Sequence, residues 1–236
     1  MSTGASARDA EVAATLPAPA ADSLLVTEVY ASVQGESTFA GLPFVLLRTA
    51  RCNLRCTWCD SAFTFRGGTR RGVAELVAEV LGHGLRHVLV TGGEPLLQPA
   101  VLPLLAQLCD AGLTVLLETG GSLDVTPVDP RVHRIVDVKC PGSGEAQRNL
   151  WSNLAALGPR DELKFVVADR ADYEWSRDVL AAHRPAERGV TVLFSPVWGD
   201  PALPGSIAEW LVADRLEARL QVQLHKLLWP ADARRR

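Results

Sequence analysis

The chain is 236 residues long, 47% apolar and 22% charged, with a formal net charge of −3. That size suits one domain with a proper core, and that charge leaves no global basic field for nucleic acid. No run approaches the roughly 18–20 apolar residues of a membrane span. Three of the five cysteines are clustered, which argues against a disulfide framework and for a reducing, cytoplasmic setting.

Residues 1–22 are rich in Ala and Ser, carry Pro17 and Pro19, and lack the basic start and continuous apolar run of a secretion signal. They are expected to form a disordered extension, with residues 23–236 as the folded domain. From there, β-branched runs alternate with helical periodicity. Strands are predicted at 24–30, 44–49, 87–91, 114–118, 134–138, 163–167, 190–194 and 220–224. Helices are predicted at 73–81, 99–111, 172–183 and 207–216, whereas 124–131 carries two prolines and no 3.6-residue period. The alternation implies a mostly parallel sheet with crossover helices. Polar, Gly-rich segments follow the strands: the cysteine loop, Thr91-Gly92-Gly93-Glu94-Pro95, Thr119-Gly120-Gly121-Ser122, Lys139-Cys140-Pro141, Ser195-Pro196-Val197-Trp198 and His225-Lys226. Parallel barrels place their chemistry at that end of the strands, so these segments are expected to share one site.

Within the loop, Cys52, Cys56 and Cys59 stand at a Cys-x3-Cys-x2-Cys spacing. Thiolates suit iron–sulfur clusters, zinc or copper(I). A cubic cluster normally takes four cysteines, so three with no near fourth leave one iron open to a non-protein ligand. A structural zinc site uses the same donors and stays open on spacing alone. Gly92 and Gly93 let backbone approach a ligand closely. Gln34 can donate and accept towards a heterocycle edge, and Arg48 can pair bidentately with a carboxylate. The cysteine trio with Gly92-Gly93-Glu94-Pro95 resembles the radical S-adenosylmethionine (SAM) superfamily. Val33-Gln34-Gly35-Glu36, Phe44, Arg48, Cys59-Asp60-Ser61-Ala62-Phe63, Glu118-Thr119-Gly120, Asp161-Glu162-Leu163-Lys164-Phe165-Val166 and Gln223-Leu224-His225-Lys226 with Trp229-Pro230 resemble the 7-carboxy-7-deazaguanine synthase family within it.

That resemblance implies an incomplete parallel β/α barrel of the radical SAM type. It implies a 4Fe–4S cluster on Cys52, Cys56 and Cys59, and SAM contacts at Gly92, Gly93, Glu94, Lys139 and Ser195. Substrate contacts fall at Val33, Gln34, Gly35, Glu36, Arg48 and Thr91, with His225 and Pro230 as further candidates; a structural role serves His225 equally. Ser61 matches a position whose hydroxyl binds Mg²⁺, where threonine is usual. The implied reaction contracts 6-carboxy-5,6,7,8-tetrahydropterin to 7-carboxy-7-deazaguanine with loss of ammonia, after a 5′-deoxyadenosyl radical removes the hydrogen at C6. An electron donor of flavodoxin or ferredoxin type and a homodimer are implied as partners, with no nucleic acid or membrane. Departures from the family pattern are Cys140 within Lys139-Cys140-Pro141, Arg51 where glycine precedes the first cysteine, and Ser37 where glycine follows the Glu. Another radical SAM reaction, such as glycyl-radical activation, shares the trio but not the motifs at the two ends. A zinc-stabilised binding module is the alternative from another class.

Overall fold

Alternation of side chains along the strands decides what each face of the sheet can carry. The computed structural model describes residues 22–230 together with Ala233 and Arg235, so the expected disordered extension lies almost wholly outside the described residues. Among these, nine strands form one sheet: β1 (Ser23–Val33), β2 (Pro43–Thr49), β3 (Thr69–Gly72), β4 (His87–Gly92), β5 (Thr114–Thr119), β6 (His133–Val138), β7 (Glu162–Val167), β8 (Thr191–Pro196) and β9 (Arg219–Leu220). Their order is β3-β1-β2-β4-β5-β6-β7-β8-β9. β1 is antiparallel to both its neighbours, and every pairing from β2 to β9 is parallel. No pairing joins β3 to β9, so the barrel is incomplete, as expected.

The helices are α1 (Val73–Gly82), α2 (Val101–Asp110), α3 (Ser152–Ala156), α4 (Arg170–His183), α5 (Leu203–Ala213) and α6 (Leu224–Leu228). Outward residues of the first strands, Val45, Leu47, Val88, Val90, Val115 and Leu117, pack on Leu76 and Val80 of α1 and on Leu104, Leu105 and Leu108 of α2. The later strands present Val136, Val138, Leu163, Phe165 and Phe194 to Tyr173 and Val179 of α4 and to Ile207 and Leu211 of α5. The inward residues Phe44, Leu46, Leu89, Leu116 and Ile135 make a third cluster, closed by Tyr30 and Phe39. Two residues further along each strand, the inward positions become Arg48, Thr91, Glu118, Asp137 and Lys164. The barrel interior is thus an apolar floor under a charged ceiling.

Two expectations are corrected. The strand predicted at 220–224 is only Arg219–Leu220, because Gln221 donates to the Phe194 carbonyl (2.8 Å) and Leu224 turns away to donate to the Gly35 carbonyl (2.9 Å), opening α6. The helix predicted at 207–216 runs instead over Leu203–Ala213, with Pro204 accommodated in its first turn. The unmarked stretch after β5 is irregular, pinned by Asn153 Nδ2 to the carbonyls of Gly121 (3.2 Å) and Leu123 (2.8 Å). Cys140 is 1% exposed, with Sγ 3.4 Å from Ser176 Oγ, and packs in the second core.

Candidate active site

A cleft of about 610 Å³ opens at the C-terminal ends of the strands, lined by all three clustered cysteines. Their loop leaves β2 through Arg51, whose φ of 78° is the left-handed value glycine adopts without cost. The turn is held by Arg51 N–H donating to the Thr64 carbonyl (2.7 Å) and by the Arg51 carbonyl accepting from Glu94 N–H (2.8 Å). Beyond it, Cys59 N–H donates to the Cys56 carbonyl (3.2 Å), Thr57 N–H to the Ser143 carbonyl (3.0 Å) and Arg55 N–H to Glu145 Oε1 (2.8 Å). Gly92 and Gly93 abut this loop: a Cβ on Gly93 would overlap the Arg51 carbonyl and come within 2.8 Å of Cys52 Cβ.

Burial pushes the Cys52 thiol up to about 12 and raises those of Cys56 and Cys59. A metal centre is what stabilises such thiols as thiolates. Among the described residues, no three His, Cys, Asp or Glu side chains close on a single ion. A tetrahedral zinc would gather all its donors about 2.0–2.3 Å from one point. Thiolates that each bind a different iron of a cube stand further apart. The donor set, three thiols from one loop facing one cleft with Cys109 and Cys140 elsewhere, fits a cluster with one open corner.

On the same side, Lys139 lines the cleft with its Nζ 2.9 Å from Asp137 Oδ2. Burial would lower its ammonium, but Asp137 and the neighbouring Cys56 hold it above the usual lysine range. Gly92, Gly93 and Ser195 also line the cleft. Glu94 does not. Its carboxylate is 0% exposed and accepts from Leu96 N–H (3.0 Å), Thr119 Oγ (2.8 Å) and Gly120 N–H (2.8 Å). It ties the β4 loop to the β5 loop, and a ligand would meet the backbone it fixes.

The far wall is built by the two ends of the chain. Val33 at the end of β1 and Gln34, Gly35 and Glu36 after it line the cleft, with Gln34 N–H donating to the Leu42 carbonyl (2.9 Å). Glu36 accepts from Gln223 Nε2 (2.8 Å), Lys164 Nζ (2.9 Å) and Gln221 Nε2 (3.2 Å). Burial would raise this carboxyl; Lys164 and Gln223 hold it below its ordinary value. Lys164 also pairs with Glu118 and lies 3.7 Å from Asp137, while Thr91 Oγ1 donates to Glu118 Oε2 (3.1 Å). Arg48, also on the lining, donates through Nε to Glu28 Oε1 (2.9 Å). His225 lines the cleft against Gly35; Pro230 is exposed and does not line it.

Ser61 lines the cleft with Oγ 3.2 Å from Asp60 Oδ1, and Asp60 Oδ2 accepts from Lys226 Nζ (2.9 Å). Burial opposes ionisation of Asp60, yet Lys226, Gln223 and Ser61 bring it down to about 2. One hydroxyl beside an already paired acid suits a Mg²⁺ that keeps waters and substrate oxygens as its other ligands. Sequence reasoning did not single out Glu28 or Asp137, and took up Glu118, Lys164, Gln223 and Lys226 only as parts of motifs. The signal was present for three of them: Glu118, Asp137 and Lys164 each stand on the inward face of a strand whose outward face is apolar.

A sequence profile of the radical SAM superfamily matches residues 46–140, from β2 through the cysteine loop and the glycine pair to Cys140. With a fold of this kind and a three-thiol cleft, the chain is a radical SAM enzyme. The 7-carboxy-7-deazaguanine synthase of Koribacter versatilis is 42% identical over 224 residues, covering 89% of this chain and 98% of the relative. That of Chlorobaculum tepidum is 45% identical over 214 residues, covering 89% and 96%. The chain belongs to the 7-carboxy-7-deazaguanine synthase family. The crystal structure of QueE from Escherichia coli superposes with a TM-score of 0.73 at 23% identity, over 94% of this chain and 100% of that one, which supports the fold.

Proposed function

We propose that this cleft converts 6-carboxy-5,6,7,8-tetrahydropterin to 7-carboxy-7-deazaguanine with loss of ammonia. One observation carries the reading: Arg48, the Glu36–Lys164–Glu118 array and the cysteine trio all line one cleft. A carboxylated pterin has an anionic end for the guanidinium and a donor-rich edge for the acids. When bound, the cluster and SAM supply a carbon radical that takes the hydrogen at C6 of the pterin. Cys52, Cys56 and Cys59 would hold the cluster, and Gly92, Gly93, Lys139 and Ser195 would face the SAM.

The chain's own residues bind and orient. Glu28 fixes Arg48 through Nε and Tyr30 bonds to the same guanidinium, whose remaining donors would meet the substrate carboxylate. Gln34 would accept and donate along the pterin edge and Glu36 would accept from it, and Lys164 keeps Glu36 charged for that purpose. Ser61 with the substrate carboxylate would hold Mg²⁺, which therefore enters with the substrate. Phe63, Trp58 and Trp198 on the lining exclude water from a reactive radical. A homodimer is part of the proposal, supported by Leu227 and Leu228, 63% and 52% exposed on α6. A cytoplasmic setting is supported by the five free cysteines; no helix among the described residues is long and apolar enough to cross a membrane.

Anaerobic incubation with the pterin, SAM and a reductant tests this reading. A SAM-dependent, ultraviolet-absorbing deazapurine is expected. Cleavage of SAM without that product would point instead to another radical SAM reaction, such as glycyl-radical activation.

A further inference from the structure

Beyond α6 the chain turns back on itself: Trp229 N–H donates to the His225 carbonyl (3.1 Å) and Ala233 N–H to the Pro230 carbonyl (2.8 Å). The described residues past Pro230, Ala233 and Arg235, both line the cleft. Composition does not dictate that placement. Arg235 belongs to a run of three arginines at 234–236, and like charges in a row favour a solvated segment. Here its guanidinium faces Glu28 instead, with Nε 3.6 Å from Glu28 Oε2.

Glu28 is the acid that also holds Arg48. Its carboxylate takes Arg48 on Oε1 (2.9 Å) and Arg235 on Oε2, so two guanidiniums flank one buried acid. They differ in how far they are committed. Arg48 has its side chain 16% exposed, spends Nε on Glu28, bonds to Tyr30 and lies 5.9 Å from the centroid of the Phe63 ring. The Arg235 side chain is 66% exposed, and a separation of 3.6 Å is too long for a hydrogen bond, so its fork of N–H donors is not spent on Glu28. Charge points the same way. The cleft lining carries five carboxylates against five lysine and arginine side chains, and Arg235 is one of the five. Without it the acids outnumber the bases, even before any cysteine thiolate is counted. A carboxylate offers lone pairs on both oxygens, more than the free side of one engaged guanidinium can satisfy.

We propose that Arg235 is a substrate-binding residue: its guanidinium moves from Glu28 onto the carboxylate that Arg48 clamps, and so selects a carboxylated pterin over one that lacks the group. This assignment rests on the substrate reading given above, and Arg235 lies outside every motif that carries the family resemblance. Glu28 serves as the resting place of the arginine. An ion pair this exposed on one side is weak, so Arg235 leaves it readily for a ligand that accepts two parallel N–H bonds.

Equilibrium dialysis of the anaerobic, cluster-loaded full chain tests this, with SAM present and the cluster left unreduced so that nothing turns over. The probes are 6-carboxy-5,6,7,8-tetrahydropterin and the same tetrahydropterin without its carboxylate. Arg235→Ala should raise Kd for the carboxylated probe about tenfold, the worth of a charge-assisted hydrogen bond, and leave the other probe within about twofold of wild type. Arg235→Lys keeps the charge but loses the fork, and should recover only part of the affinity. An unchanged Kd for the carboxylated probe in Arg235→Ala would overturn the proposal. Equal losses for both probes would overturn it too, because the side chain would then only shape the cleft. The wild-type protein separates the two levels. If it binds both probes alike, or neither, the carboxylated-pterin reading fails and this assignment with it. If it prefers the carboxylated probe and Arg235→Ala keeps that preference in full, the role of Arg235 alone fails.

Discussion

Gly35 and His225 are in direct contact, 190 positions apart in sequence, and a Cβ on Gly35 would overlap the imidazole ring. The Gly35 carbonyl also accepts from Leu224 N–H (2.9 Å), so the first and last motifs of the chain form one wall. Gly35→Ala should therefore displace the 223–226 segment, at a cost of about 1–3 kcal/mol for overpacking. Denaturant melts should show that loss, and the His225→Gly background should recover most of it, since the pair then no longer clashes. Equal destabilisation in both backgrounds would contradict the contact.

Lys164 stands among Glu36, Glu118 and Asp137 with its side chain 6% exposed. Removing it leaves the half-buried Glu36 and Glu118 without an ion-pair partner, so Lys164→Met should cost about 3 kcal/mol of stability. The sign with pH follows from Glu36. Its folded-state pKa is depressed, so its contribution to stability is present above the unfolded carboxylate value of about 4.3 and lost as pH falls through the lower folded value. Without the Lys164 ammonium, burial has less to oppose it and the folded value rises. The acid limb of kcat/KM should then move to higher pH by about one unit or more, while Lys164→Arg restores part of it. An unmoved acid limb in Lys164→Met would contradict this role.

Arg48 is read as the carboxylate clamp and Glu28 as its support, 2.9 Å away. Arg48→Lys keeps the charge but loses the fork, and should raise KM for the pterin roughly 10–100-fold, the worth of one charged hydrogen bond. Glu28→Gln should give a smaller rise of the same kind. A lowered kcat with unchanged KM in both variants would place Arg48 outside substrate binding.

Ser37 and Arg51 stand where the family pattern has glycine, and both keep the left-handed backbone glycine would take, with φ of 66° and 78°. Ser37 is held there because its N–H donates to Gln221 Oε1 (2.7 Å) and its Oγ accepts from Phe39 N–H (3.1 Å). Ser37→Gly should be neutral or stabilising by up to about 1 kcal/mol, and Ser37→Val destabilising by about 2 kcal/mol. Calorimetry that finds the two variants equally stable would contradict the strained turn.

The parallel strands were legible because Val45, Leu47, Val88, Val90, Val115 and Leu117 alternate with inward residues in runs bounded by turn signals. The cysteine loop was legible from spacing alone. β3 was not: Thr69–Gly72 carries two arginines and no apolar residue, and becomes a strand only because β1 offers it an antiparallel edge. α6 was missed because five residues cannot show a 3.6-residue period, and its start is set by the distant Gly35 carbonyl. Glu94 looked like a ligand contact, and its burial depends on Thr119 and Gly120 one strand away. Pairings of that kind, like Lys164 with Glu36, are created by the fold and have no local signature.

The central claim is that Cys52, Cys56 and Cys59 hold a cluster whose open corner takes SAM. Electron paramagnetic resonance of the anaerobically reconstituted, reduced protein, recorded with and without SAM, tests it most directly. The account predicts a reduced-cluster signal that shifts on adding SAM and is lost when any one of the three cysteines becomes alanine. A signal that SAM leaves unchanged would contradict it.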